Sequence, residues 1–413
     1  MPAELSPDQQ TARFAILDAI EEGQTRLVLS GPAGSGKTTL MRQLIDDIAA
    51  SGRTVTLCAP TGKAAVRLTE STGQFARTIH QILYREIEEV TNEAGELTGE
   101  VRFSGVQSIA TAKSVVICDE ASMVGERLHR DLTQGIGKAA LLYVGDREQL
   151  PPVNDTWGAN FAEPTALLSA IHRQAAGSPI IQLSMAIRAG QGLRTTRPDG
   201  DRYTFRRGTM ADAAAWLAGH RAMGNDATLI TWRNQLRQQI NAEVRTMRGH
   251  KQWLQPGDLL VCTRNNHSVG KMNGEVVTVS AIEPLNDDLV KAYWQTSNRP
   301  GSGRTYAIVA LDGLPKPIEP NRWERLREEL VRLDRDAEDA WMREPLLRRM
   351  MLAEYGECLT VHKSQGSQWD HVGVVIDRAW SGMAESDPDQ YRRMLYTAVT
   401  RAARHLTVFE VAS

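Results

Sequence analysis

The stretch LVLSGPAGSGKTTL, Leu27–Leu40, decides how this chain reads. An apolar run meets a glycine-rich turn, and Lys37, Thr38 and Thr39 stand where a helix begins. Gly31 and Gly36 bracket four residues, the spacing of a phosphate-binding loop. Glycines let the backbone N–H groups of Gly34, Ser35 and Gly36 converge on phosphate oxygens, and the helix N-terminus adds partial positive charge. Lys37 would reach the β- and γ-phosphates, with Thr38 holding Mg²⁺ and Thr39 beside it. Such a loop needs a strand before it and a helix after it, so the reading predicts an α/β sheet with nucleotide at its carboxyl edge.

Working outward, TRLVLSG (Thr25–Gly31), RTVTLCAP (Arg53–Pro60), KSVVICDE (Lys113–Glu120) and AALLYVGD (Ala139–Asp146) read as buried parallel strands. Between the second and third, EVTNEAGELTGEVRF sets Asn92 and Gly95 between alternating patterns, which predicts an inserted hairpin over about 86–111. A second α/β pattern starts near Leu167, with strands expected at Thr228–Trp232, Gly373–Asp377 and Val408–Val411. Pro256–Leu311 changes character: GDLLVCTRN, GEVVTVSAIE and RTYAIVALDG are short β-like runs that suit a small barrel-like insertion. Asn321–Leu352, rich in Arg, Glu and Leu, reads as a helical arm on it.

Two further motifs supply the chemistry a triphosphate site requires. CDEAS places Asp119 at a strand's end, where a carboxylate holds Mg²⁺ through water, and Glu120 where it orients or deprotonates the attacking water. YVGDREQLPPV carries Gln149, whose amide both donates and accepts and so can report a γ-phosphate.

Composition narrows the class. The chain has 413 residues, long for one core, with 41% hydrophobic and 24% charged residues, as expected of a soluble globular protein. A net charge of −2 leaves a basic groove possible but does not announce one. Cys58, Cys118, Cys262 and Cys358 form no CxxC pair and read as buried free thiols of a reducing cytoplasm. There is no leader pattern and no apolar run of membrane-spanning length.

Taken in order, these motifs resemble those of superfamily 1 DNA helicases of the 5′→3′ branch, the RecD- and Dda-like group. LSPDQ (Leu5–Gln9) resembles the adenine-reading motif, with Gln9 the candidate. APTGKAA (Ala59–Ala65) and RTIHQ (Arg77–Gln81) resemble the DNA-contact motifs of the first motor domain. SAIHRQ (Ser169–Gln174), ECLTVHKSQGSQW (Glu357–Trp369) and YTAVTRA (Tyr396–Ala402) resemble the later motifs, which makes Arg173 and Arg401 the expected arginine fingers. The resemblance implies two RecA-like motor domains, 1–165 and 166–255 with 353–413. It also implies an inserted SH3-like β-barrel with helical arm over 256–352. Gly366 and Gln368 fall near the nucleotide in that pattern. Relatives often have glutamate where Gln368 stands, and the compact Dda-like plan suits the short stretch before Gly31.

The implied activity is ATP- and Mg²⁺-dependent translocation 5′→3′ on single-stranded DNA with duplex unwinding; polarity rests on the resemblance alone. Closure around ATP would bring the fingers onto the γ-phosphate while both motor domains grip one strand. Pro60, Thr61, Lys63, Thr78 and His80 are the expected strand contacts of the first half; Asn234, Thr360, His362, Lys363 and Ser364 are those of the second. Hydroxyls, lysine and amides suit phosphate, which fixes register without sequence information. The inserted hairpin, with Phe103 at its tip, is the expected wedge. Expected partners are single-stranded DNA and duplex junctions, with single-strand-binding, replication, recombination or repair proteins, for a monomer away from membranes. The alternatives are a non-processive nucleic-acid-stimulated ATPase switch and an ATPase subunit of a nuclease complex.

Overall fold

The computed structural model describes residues 4–91, 97–152, 155–159, 161–171, 177–193, 201–250, 254–263, 269, 271, 274–284, 290–295, 304–311 and 350–412. The chain is α/β and falls into two compact units: residues 1–87, 103–207 and 364–413 form the first, and 88–102 with 208–363 the second.

The first unit carries a six-stranded parallel sheet. Its strands are β1 (Arg26–Ser30), β2 (Thr54–Ala59), β3 (Ala76–Thr78), β6 (Ser114–Cys118), β7 (Ala140–Gly145) and β8 (Ala166–Leu167), in spatial order β3-β2-β6-β7-β1-β8. The two strands passed over in that numbering, β4 (Tyr84–Thr91) and β5 (Leu97–Val106), form a separate two-stranded sheet; the residues between them lie outside the description. All four apolar runs named from the sequence are strands here. The period of two divides each run between two cores. Leu27 and Leu29 pack with Leu40, Met41, Leu44 and Ile48, whereas Val28 faces the cluster of Cys58, Val116, Leu141 and Tyr143. Burying each such aliphatic side chain contributes about 1.5–3 kcal/mol, which holds the strands in register.

Some helix starts carry a side-chain cap and others, α2 among them, do not. Helix α1 (Pro7–Glu21) starts on a Ser6–Gln9 capping box, α3 (Gly62–Thr72) on the Thr61 hydroxyl, and α4 (Ile79–Leu83) on a Thr78–Gln81 box. Helix α2 (Lys37–Ala50) starts on Gly36, whose φ of 77° suits a residue without Cβ, and no side chain caps it. Its first N–H groups therefore face whatever occupies the loop. Arg13 fastens α1 to α2 through both carboxylate oxygens of Asp47, at 2.5 and 2.7 Å.

Elsewhere in the first unit, Trp369–Ile376 and Ala402–Val411 pair in parallel, and Tyr203–Gly208 neighbours the latter. The second of these extends well beyond the four residues expected at Val408–Val411. Helices Pro179–Arg188, Arg378–Ser386 and Pro388–Val399 belong to the same unit.

In the second unit, Ala227–Thr231 pairs in parallel with Cys358–Thr360. Six short strands form another sheet in the order Val276–Thr278, Leu259–Cys262, Met350–Tyr355, Arg304–Leu311, Val290–Gln295, Ala281–Pro284. Leu254, Leu260, Cys262, Val277, Val279 and Met351 make its core. The expected helical arm needs one correction. Met350–Leu352 open a strand that pairs with Ile308–Ala310, because their apolar side chains serve a sheet register as readily as a helix face. The rest of the arm lies outside the described residues. All four cysteines are buried and free, as expected, and no described helix is long and apolar enough to cross a membrane.

Candidate nucleotide site and strand contacts

Because the first sheet is wholly parallel, its strand ends gather on one edge. Following β1, Lys37 donates through Nζ to the carbonyls of Gly31 at 2.6 Å and Pro32 at 2.9 Å. The loop thus curls over its own lysine, with Gly34 at φ 81° and Ser35 buried and bonded to Pro32. Thr38 and Thr39 occupy the first turn of α2. Burial lowers the Lys37 ammonium, opposed by Asp146, Glu120 and Asp119. That pull places three carboxylates in electrostatic reach of the lysine.

Asp119 and Glu120 follow β6. Burial, reinforced by Glu120, pushes the Asp119 carboxyl up to about 6. Glu120 has φ 50° and is the one non-glycine residue in the left-handed region among those described. That conformation costs roughly 1–3 kcal/mol and concentrates at functional sites. Sequence gave no warning of it, since neither its neighbours nor its own type favour the turn.

The loop after β7 holds Gln149, buried, with its Oε1 lacking any hydrogen-bond partner in the structure. An orphaned buried acceptor is expensive and fits a group awaiting a ligand-side donor. Arg401 presents the complementary case. It is buried, and its guanidinium donates to the Thr397 carbonyl at 3.0 Å, the Ser367 carbonyl at 3.2 Å and the Thr400 hydroxyl at 3.2 Å. Burial lowers its pKa against the attraction of Glu120, and no described carboxylate pairs with it. An open helix start, a lysine, a half-buried acid pair, an orphaned amide and a cation without a described carboxylate partner together suit a magnesium–nucleoside triphosphate. Thr38, in the first turn of α2, and Asp119, after β6, are residues that could hold such a metal. Among the described residues no cluster of three or more His, Cys, Asp or Glu could hold a metal unaided.

Gln9 is buried, accepting the Ser6 N–H at 2.9 Å and donating to the Gly36 carbonyl at 3.1 Å. It therefore braces the phosphate loop and retains one amide hydrogen. Gln368 accepts from Arg67 Nη2 at 2.5 Å. Gly366, at φ 69°, lies so close to α3 that a Cβ would stand 3.2 Å from Ala64 Cβ. Arg173 lies outside the described residues.

Of the expected strand contacts, Pro60, Thr61 and Lys63 follow β2, while Thr78 ends the adjacent β3 and His80 follows it. The Thr61 and Thr78 hydroxyls cap helices. Lys63 stands 5.5 Å from the Trp369 ring, and His80 stands 5.7 Å from the Tyr84 ring. In the second unit, Asn234 is exposed and accepts from Arg237 Nε at 3.3 Å. Thr360 is buried, burial lowers the His362 imidazole, and Lys363 is ion-paired with Glu354. Ser364 is buried in the first unit.

Residues that sequence reasoning missed surround Asp146. Its buried carboxylate accepts from Arg188 Nη1 at 2.6 Å and from the Tyr396 hydroxyl. Tyr396 in turn accepts the Ala33 N–H at 3.1 Å. Burial and then Asp146 push the phenol far above its usual range, so it stays protonated. Arg188 carried one weak signal, a basic residue in a helix's last turn.

Comparison with known proteins finds similarity along most of the chain. Residues 4–202 match a family model described as an AAA domain, and residues 355–409 match the UvrD-like helicase C-terminal domain. The ATP-dependent RecD2 DNA helicase of Deinococcus radiodurans is 28% identical over 403 residues, covering 94% of this chain and 47% of that protein. The ATP-dependent DNA helicase dda of Enterobacteria phage T4 is 31% identical over 198 residues, 46% of this chain and 43% of that one. The chain thus spans about half the length of these relatives. Among solved structures, the Pif1 helicase of Bacteroides in complex with ADP-AlF3 and ssDNA superposes with TM-score 0.50 at 17% identity. It covers 98% of this chain and 92% of the other, a likeness of fold. Pif1 helicase from Candida albicans gives the same score and identity over 98% and 94%.

Proposed function

We propose that this chain, which belongs to the RecD/Dda-like group of superfamily 1B helicases, is an ATP-dependent DNA helicase translocating 5′→3′ on single strands. The observation that carries the reading is the buried, carboxylate-free Arg401 in the same compact unit as Lys37, both in electrostatic reach of Glu120. A cation held only by neutral oxygens gains most from a developing phosphate charge.

In this reading Lys37 and the N–H groups of Gly34, Ser35 and Gly36 bind the phosphates, and Thr38 with Asp119 would hold Mg²⁺, whose charge polarises the γ-phosphate when bound. Glu120 orients the attacking water, Gln149 reports the γ-phosphate, and Arg173 and Arg401 act as fingers. Gln9 contacts adenine through its remaining N–H; Gly366 and Gln368 line the nucleotide's surroundings. ATP favours whichever state lets the fingers reach it, and hydrolysis releases that preference.

Strand contacts come in two sets. Pro60, Thr61, Lys63, Thr78 and His80 form one, and Asn234, Thr360, His362, Lys363 and Ser364 the other. The β4–β5 pair acts as the wedge that divides a duplex, where each base-pair step costs about 1.4 kcal/mol of stacking. The six-stranded sheet of the second unit is the SH3-like insertion. Motor domains over 1–165 and over 166–255 with 353–413 are part of the same proposal.

The test is ATP hydrolysis with and without single-stranded DNA. Stimulation by the strand supports a strand-directed ATPase, and displacement of a tailed duplex then separates the motor from the nucleic-acid-stimulated switch; hydrolysis indifferent to the strand contradicts the motor.

A further inference from the structure

We propose that Arg188 is a positioning residue of the nucleotide site, acting through Asp146 and Tyr396 on the Ala33 amide of the phosphate loop. The inference rests on the nucleotide-binding reading above and assigns a role to a residue that no motif singled out.

The chain of contacts has a fixed direction. Asp146 Oδ1 accepts from Arg188 Nη1 at 2.6 Å and from the Glu148 N–H at 3.1 Å, while Oδ2 accepts from the Tyr396 hydroxyl. An ionised carboxylate only accepts, so Tyr396 must donate its single proton there. What remains on the phenolic oxygen is a lone pair, and the Ala33 N–H donates to it at 3.1 Å. Ala33 sits beside Pro32, whose carbonyl Lys37 holds at 2.9 Å. Arg188 therefore reaches the loop that presents Lys37 through two hydrogen-bonded side chains.

The arginine is needed because Asp146 is fully buried: its side chain is 0% exposed. A buried carboxylate stays ionised only beside a compensating charge, and among the described residues Arg188 is its one ion-pair partner. Without Arg188, Oδ1 keeps only the Glu148 N–H, and Oδ2 is no longer held on the Tyr396 hydroxyl whose lone pair faces Ala33.

The same node reaches the rest of the catalytic machinery. Tyr396 lies on helix Pro388–Val399, which also receives the Leu150 N–H on Thr397 Oγ1 at 3.2 Å and sends Arg393 Nη1 to the Gln149 carbonyl at 3.3 Å. Arg401 closes that helix by donating to the Thr397 carbonyl at 3.0 Å. Glutamine loop and finger are thus tied to one helix, and Tyr396 joins that helix to the phosphate loop.

The experiment is a double-mutant cycle on Arg188→Ala, Asp146→Asn and the pair, read by equilibrium binding of a fluorescent ATP analogue and by steady-state ATPase. Arg188→Ala weakens analogue binding and raises KM with a smaller change in kcat, a loss of up to about 10²-fold in kcat/KM for a displaced phosphate loop. Arg188→Lys restores most of it, because the Asp146 contact uses one N–H. In the Asp146→Asn background Arg188→Ala adds nothing. Independent, multiplying losses would overturn the proposal, since Arg188 would then act on the nucleotide directly; so would unchanged binding by Arg188→Ala. Should Arg188→Ala fail to fold, Arg188→Gln, which keeps a donor without charge, takes its place in the cycle. A chain that binds the analogue without hydrolysing ATP contradicts the motor, while the binding cycle still decides the role of Arg188.

Discussion

Arg401 donates through Nη1 to the Ser367 carbonyl at 3.2 Å, a neutral acceptor for a buried cation. Neutral acceptors keep the guanidinium oriented without cancelling its charge. Arg401→Ala is expected to lower ATP turnover by about 10³–10⁵-fold, as the loss of an arginine finger does, while nucleotide binding survives. Steady-state ATPase set beside fluorescent-nucleotide binding checks it; near-normal turnover would remove Arg401 from the chemistry.

Glu120 is expected to show function bought at the expense of stability. Relieving its left-handed backbone with Glu120→Gly should stabilise the fold by about 1 kcal/mol while abolishing hydrolysis. Glu120→Gln keeps the backbone as it is and should bind ATP without turning it over. Thermal melts and ATPase of both variants are the measurement. Turnover by Glu120→Gln at the wild-type rate would contradict the assigned role.

How far these features could be read in advance depended on how local their causes are. β1, β2, β6 and β7 are continuous apolar runs bounded by Gly, Pro or acid, and such runs announce themselves. β3 and β8 have three and two residues, too few to show a period, and owe their existence to neighbours. Tyr203–Gly208 reads YTFRRG, whose alternation lasts only from Tyr203 to Arg206, too short to stand out; Ala402–Val411 offers it an edge. At the site, Lys37, Asp119, Glu120 and Gln149 were visible because their chemistry depends on sequence spacing. Arg188 was not, since its partner Asp146 lies 42 residues away and only the fold joins them.

Lys363 and Glu354 form an ion pair that also engages Arg237, whose Nη2 stands 3.1 Å from Glu354 Oε2. If Lys363 meets strand phosphate, Glu354 competes with the DNA for it. Glu354→Gln should tighten single-strand binding several-fold and steepen its log–log salt dependence by about one unit. Fluorescence anisotropy across a salt series reads this directly. Weaker binding would mean that the pair orders the site instead.

His362 supplies the pH dependence. Burial lowers its imidazole below the ordinary value of 6.5, so the unfolded chain binds that proton more tightly than the folded one. The contribution of neutral His362 to stability is therefore present above about pH 6.5 and is lost as pH falls through the lowered folded value. His362→Gln should melt closer to wild type at pH 5 than at pH 8. A constant difference across that range would show that His362 does not titrate with folding.

Shortening the β4–β5 pair should abolish strand separation while sparing DNA-stimulated ATPase, because a wedge divides strands without touching the nucleotide. Unwinding by the trimmed chain at the wild-type rate would assign the division of strands to another element.

The central claim is that hydrolysis at Lys37, Glu120 and Arg401 drives directed motion along a DNA strand. Strand displacement on two duplexes, one with a 5′ and one with a 3′ single-stranded tail, tests it most directly when Lys37→Ala runs in parallel. ATP-dependent opening of the 5′-tailed duplex alone, lost in Lys37→Ala, is the expected result. Opening of neither duplex despite strand-stimulated ATPase, or of the 3′-tailed one alone, would contradict it.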